Sequence, residues 1–154
     1  MYIAFKILHV FAAVVFLGNL ITGILWKVSA DQTRNPVIIH HTVAGLIRAD
    51  RWFTIPAVLL ILIGGFGAAV VGGLPLIRTR WILAGIILFT ISGVSYMARV
   101  VPIQRRMLAV ARAGVDSGTL DWKEYGALTR SWNVWGTIAL VAPVLALMAM
   151  IAKP

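Results

Sequence analysis

The sequence predicts an all-α fold, an integral membrane four-helix bundle with helical extensions or interfacial helices on the cytoplasmic side. Three observations carry that prediction. Of the 154 residues, 60% are hydrophobic and 12% charged, against about 45–50% and about 25% in a soluble domain. Four apolar stretches are long enough to cross a hydrocarbon core, which takes about 20 helical residues. A tryptophan stands at an edge of each stretch: Trp26, Trp52, Trp81 and Trp132. Indole rings favour the boundary between lipid tails and head groups.

The spans are expected at 2–26, 52–73, 81–101 and 132–151, forming a single transmembrane domain over 1–154. The first apolar run is longer than the roughly 7–15 residues of a signal peptide and reads as a retained span. Between spans one and two, Asn35 followed by Pro36 is a helix start: an N-cap and a proline at the first helical position. Val37 to Asp50 then reads as helix, either interfacial or an extension of the second span. Pro56 is expected to kink that span. Pro102 to Ala113 mixes Met107, Leu108 and Val110 with Arg105, Arg106 and Arg112, again an interfacial helix or an extension. Gly114 to Leu120 reads as a polar turn, and Asp121 to Arg130 as an amphipathic lead into the fourth span.

Charge sets the expected topology. The first and third connections hold Lys27, Arg34, Arg48, Arg51 and Arg99, Arg105, Arg106, Arg112, Lys123, Arg130, ten of the 14 Lys and Arg residues. The positive-inside rule puts these connections in the cytoplasm and both termini outside. The net charge of +9 is therefore read as topology and attraction to anionic lipid, with no nucleic-acid partner. No cysteine is present, which excludes disulfides and thiolate metal sites.

His9 is the most informative residue. It lies about 10 Å inside the first span at 1.5 Å per residue, and an ionisable group at such depth is a functional-site hypothesis by default. Imidazole is a standard haem ligand. The alternative is a structural histidine bonded to a backbone carbonyl or a hydroxyl. Lys6, one turn earlier, either snorkels to the head groups or pairs with a ligand carboxylate. The glycine-rich end of the second span (Gly64, Gly65, Gly67, Gly72) reads first as close helix packing, and second as room for a flat cofactor. Arg78 and Arg80 are placed to meet head groups or haem propionates, and Met148 is the best-placed methionine for a second axial ligand. The candidate cofactor site is thus His9 as metal ligand with Lys6, Gly65, Arg80 and Met148, and the candidate cofactor is haem b.

His40 and His41 diverge by about 100° on a helix and form no metal constellation. Asn19, Thr22, Thr90, Ser92, Ser95 and Tyr96 are expected to bond across helices or back to a carbonyl. No carboxylate is expected buried in a span, which argues against a proton-coupled transporter.

The stretches Lys6-Ile7-Leu8-His9-Val10, Asp50-Arg51-Trp52-Phe53-Thr54-Ile55-Pro56, Val101-Pro102-Ile103-Gln104 and Leu147-Met148 to Lys153-Pro154 together resemble an uncharacterised family of bacterial four-span integral membrane proteins. The resemblance covers nearly the whole chain and implies a multi-pass protein of the bacterial inner membrane. More distantly, the first span is similar to those of HemJ protoporphyrinogen oxidases and CopD-type copper-resistance proteins. The Lys-x-x-His start of HemJ-like proteins, whose histidine binds b-type haem, is matched by Lys6 and His9. Those proteins also carry a lysine early in the third span, needed for activity. Here the region reads Trp81-Ile82-Leu83-Ala84-Gly85, so only the haem histidine carries over.

Two functions are weighed. One is a b-type haem protein in electron transfer or oxidation of a lipophilic substrate. The other is a non-enzymatic accessory or assembly subunit of a larger membrane complex. The partners weighed are the lipid bilayer with either such a complex or, against that second function, a homo-oligomer.

Overall fold

The structure is a computed structural model and describes residues 1–153. Pro154, which closes the last resembling stretch, lies outside the described residues. The chain forms four long helices: α1 (Tyr2–Thr33), α2 (Pro36–Val71), α3 (Arg80–Ser117) and α4 (Trp122–Ala152). At 1.5 Å per residue they run about 46–57 Å, well beyond a hydrocarbon core of about 30 Å. Each is long and apolar enough to cross a membrane. Of the two expectations for the connecting segments, helical extension is the one realised. Residues 36–49 continue into the second span and 101–117 continue out of the third. The turn expected from Gly114 is shorter, because α3 persists to Ser117 before Gly118 at φ 76° ends it.

Local chemistry explains the boundaries. α1 stops at Arg34, in the left-handed region at φ 51°, and α2 restarts two residues later. The Asn35 side chain accepts from the Val37 N–H at 2.9 Å, and Pro36 contributes no N–H to satisfy. The Asp121 carboxylate accepts from the Glu124 N–H at 2.9 Å and caps α4.

Two π-turns interrupt the helices, Asp50–Thr54 in α2 and Tyr96–Val100 in α3. Both have the same register: five residues, one more residue, then a proline, Pro56 or Pro102. The residue before each proline bonds five back, Ile55 N–H to Asp50 and Val101 N–H to Tyr96. A proline inside a helix lacks the N–H and crowds the carbonyl four residues earlier. The distortion expected at Pro56 takes this form, a wide turn next to the proline, and Pro102 has its own copy.

The two ends of the molecule pack differently. At the basic end, where α1 meets α2 and α3 meets α4, all four helices close into a ring. Its core includes Ala30, Ile39, Val43, Met107, Ala111 and Tyr125. At the terminal end they form two pairs, α1 with residues 55–71 and α4 with residues 80–95. Among the described residues the backbones of residues 55–71 and 80–95 do not approach each other. Phe16 and Phe89 bridge the pairs, edge to face at 5.7 Å. The difference follows from solvent. Lipid tails are as apolar as leucine, so spans associate through close fit and polar bonds, whereas the extensions bury apolar area from water.

Candidate functional site

At the terminal end, α1 lies directly on the glycine face of α2. A Cβ added to Gly64 would sit 2.7 Å from the His9 backbone nitrogen, and one on Gly65 3.0 Å from the His9 ring. On Gly67 it would meet the Phe5 ring at 2.6 Å, and on Gly72 the Tyr2 ring at 2.9 Å. These glycines accommodate side chains of α1 itself, the close-packing reading of the small residues. The face offers no room for a flat cofactor.

The His9 Nδ1 lies 2.8 Å from the Ile61 carbonyl oxygen. A carbonyl only accepts, so Nδ1 carries the hydrogen, and in the neutral ring Nε2 keeps its lone pair. The structure therefore places His9 and Gly65 together and leaves Lys6 exposed one turn away. Arg80 and Met148 belong to the other helix pair and are exposed, Met148 by 60%. It is Met150 whose side chain covers Gly85 of α3. His40 is half-buried and His41 exposed. Among the described residues no three His, Cys, Asp or Glu side chains converge as a metal-sized group.

A second assembly sits at the level of the π-turns. Asp50 begins the first turn and Tyr96 the second. The Asp50 carboxylate accepts from Asn19 Nδ2 of α1 at 3.2 Å, Thr54 Oγ1 at 2.9 Å and Gln104 Nε2 of α3 at 3.1 Å. Asn19 also donates to Thr54 Oγ1 at 2.9 Å. A cavity of about 40 Å³ adjoins this network, its wall including Asn19, Asp50, Tyr96, Gln104, Trp132 and Gly136. That volume has room for a few waters at about 10–15 Å³ each. Asp50 is half-buried and stands outside the expected 52–73 span, so it is a carboxylate at the edge of the membrane half and not within a span. Asp50 falls just outside the apolar run, yet its helix turns it inward among three helices. Asp50 and Tyr96 each stand six residues before a proline, a signal legible in the sequence.

The third assembly is one layer further toward the basic end. Lys27 is 1% exposed. Its ammonium donates to Asp31 Oδ2 at 2.5 Å and to Thr129 Oγ1 at 3.2 Å, and lies 5.5 Å from the Tyr125 ring centroid and 5.3 Å from that of Trp132. The Tyr125 hydroxyl donates to Asp31 Oδ1 at 2.7 Å. Lys27 is thus a neutralised core residue and not free loop charge. Trp132, 7% exposed, is part of its cage and not a belt anchor. Trp26 and Trp52, 60% and 74% exposed, are placed as a belt requires.

Over residues 3–154 the chain matches the family model described as "predicted integral membrane protein (DUF2269)". The chain belongs to that family. No curated protein and no solved structure matches it, so the likeness to HemJ-type and CopD-type proteins rests on the Lys6 and His9 spacing alone.

The polar residues of this family member divide as expected between two bonding modes. Thr22 and Thr90 bond back to carbonyls four residues earlier, both at 2.7 Å. Ser92 donates across helices to the Ala139 carbonyl at 2.6 Å. Among the described residues no buried side-chain nitrogen or oxygen lacks a partner. A fully satisfied polar core specifies one arrangement of helices, and the Asp50 and Lys27 assemblies tie α1 to the other three.

Proposed function

We propose that the protein is a non-enzymatic accessory or assembly subunit of a larger complex in the bacterial inner membrane, with the α1–α2 and α3–α4 connections in the cytoplasm. The supporting observation is the uneven burial of the spans. Only 11% of the α1 span is buried within the chain, against 22–28% for the other three. Its exposed side carries Ile3, Ile7, Val10, Val14, Ile21 and Leu25, spaced by three, four and seven residues, the repeat of a helix seam. The polar assemblies join all four helices toward the basic end, and the terminal end leaves apolar faces for neighbouring helices. The orientation rests on the ten cations of the basic end and the positive-inside rule. Photo-cross-linkers at Val10 and Val14 in native membranes test the reading. Adducts with another membrane protein are expected. Running only as a free monomer or homo-oligomer refutes it.

A second reading, a b-type haem protein in electron transfer or oxidation of a lipophilic substrate, draws support from one observation. A ligating histidine commonly donates its other ring N–H to a carbonyl, and the His9–Ile61 bond has that form. The histidine fits a haem, whereas the filled glycine face does not. Bound haem would supply a one-electron couple. This chain's own part would be His9 held in one tautomer by Ile61, with Lys6 exposed nearby. An absorption spectrum after expression with ample haem decides. A Soret band lost in His9→Ala supports the reading, and no band in the wild type ends it.

A further inference from the structure

Beyond the spans, at the basic end, the structure has a pocket that neither reading uses. Its volume is about 340 Å³, and it is lined by Asp31, Arg34, Trp122, Tyr125, Gly126 and Thr129. Pockets of about 300–1,000 Å³ are the size that holds small ligands.

The walls are built. Trp122 and Tyr125 meet edge to face at 6.3 Å. The Arg34 guanidinium lies 5.8 Å from the Trp122 ring centroid, so the cation is held beside an indole. Behind the wall the fully buried Lys27 is paired with Asp31 and bonded to Thr129. Both Asp31 oxygens are engaged, one by Lys27 and one by the Tyr125 hydroxyl. Lys27 and Asp31 cancel in charge, which leaves one positive charge facing the pocket, that of Arg34. Of the nearby acids, Asp121 is turned away to cap α4, and Glu124 does not line the pocket.

One guanidinium, the exposed Trp122 indole beside it and a net single positive charge fit a singly charged anion that carries an apolar or bulky group. A phosphodiester carries one negative charge, and its oxygens match the guanidinium fork. We propose that this pocket binds a phosphodiester monoanion. Its level allows two sources. Arg34 lies eight residues beyond the exposed Trp26, about 12 Å along the helix, within reach of both phospholipid head groups and dissolved diesters.

Native mass spectrometry of the full chain released from mixed micelles of phosphatidylglycerol and phosphatidylcholine tests the proposal. The wild type is expected to retain phosphatidylglycerol in preference. Arg34→Gln weakens that retention about tenfold, as losing one charge-assisted contact does, and Trp122→Leu weakens it in the same direction. Arg48→Gln, at an exposed cation outside the pocket, leaves it unchanged. In a second arm, glycerophosphoglycerol is offered to the protein in phosphatidylcholine nanodiscs. Arg34-dependent binding there places the source in water, and retention of the lipid alone places it in the membrane. Equal losses in Arg34→Gln and Arg48→Gln, or no Arg34-dependent binding in either arm, overturns the proposal.

Discussion

Replacing Asp31 with asparagine strips the carboxylate from an ammonium that water does not reach. Lys27 is 1% exposed, and without Asp31 its remaining partners are Thr129 Oγ1 and the faces of Tyr125 and Trp132. Breaking a buried pair on one side costs about 3–5 kcal/mol, and the two aromatic faces, already in contact with Lys27 in the wild type, offset none of it. The reverse change is milder. In Lys27→Met the Asp31 side chain is 25% exposed and keeps the Tyr125 hydroxyl, so a loss of about 1–3 kcal/mol is expected. The double variant Lys27→Met, Asp31→Asn removes both charges and is expected to recover most of what Asp31→Asn loses. Equilibrium unfolding in mixed detergent micelles, followed by far-ultraviolet circular dichroism, gives all three values. If Asp31→Asn matches the wild type, or the double variant is as unstable as Asp31→Asn alone, Lys27 is not a buried, neutralised residue and the reasoning fails.

Three further outcomes are expected. Gly64→Ala pushes a methyl to within 2.7 Å of the His9 backbone and should cost about 1–3 kcal/mol by overpacking, whereas Gly18→Ala, with open space around it, should be neutral or better in the same unfolding assay. Gln104→Leu removes one donor from the Asp50 carboxylate and should cost about 1–3 kcal/mol, seen as an earlier unfolding midpoint. Gly118→Ala must hold φ 76°, a left-handed conformation costing about 1–2 kcal/mol with a Cβ, and should lower thermal stability without changing helix content.

Much of the fold was legible because hydropathy and tryptophan position report what a bilayer demands of every span. Asn35 and Pro36 were legible for the same kind of reason, since a cap is a local event. Side-chain rotation was not. Lys27 follows Trp26 directly, and hydropathy counts both as an edge, but successive residues diverge by about 100°. One faces lipid and the other faces the core. Trp132 misled in the opposite sense, since an indole suits a head group and an ammonium equally well. Asp50 closes the stretch that reads as helix from Val37, but nothing in the hydropathy pattern says that it turns toward Asn19 and Gln104. For His9, the carbonyl bond was one of two readings of the residue. Its acceptor, Ile61, offered no sequence signal, because every residue has a carbonyl. Met148 and Met150 differ only in facing, which depends on how α4 meets α3.

The paired π-turns have a consequence for how the two halves of the molecule are phased. Each holds one residue more than an α-turn of the same rise, so the faces on either side are offset by about 100° from an unbroken helix. A period of 3.6 residues carried through Asp50–Thr54 or Tyr96–Val100 therefore assigns the far half to the wrong side. Because both turns stand at one depth, they act as a clutch between two gear trains. The membrane half can choose the rotation that seats α1 on its glycines, and the basic half can choose the one that buries Ile39, Val43, Met107 and Ala111. The unbroken α1 and α4 run through both halves, so the offset in α2 and α3 is what reconciles the two choices.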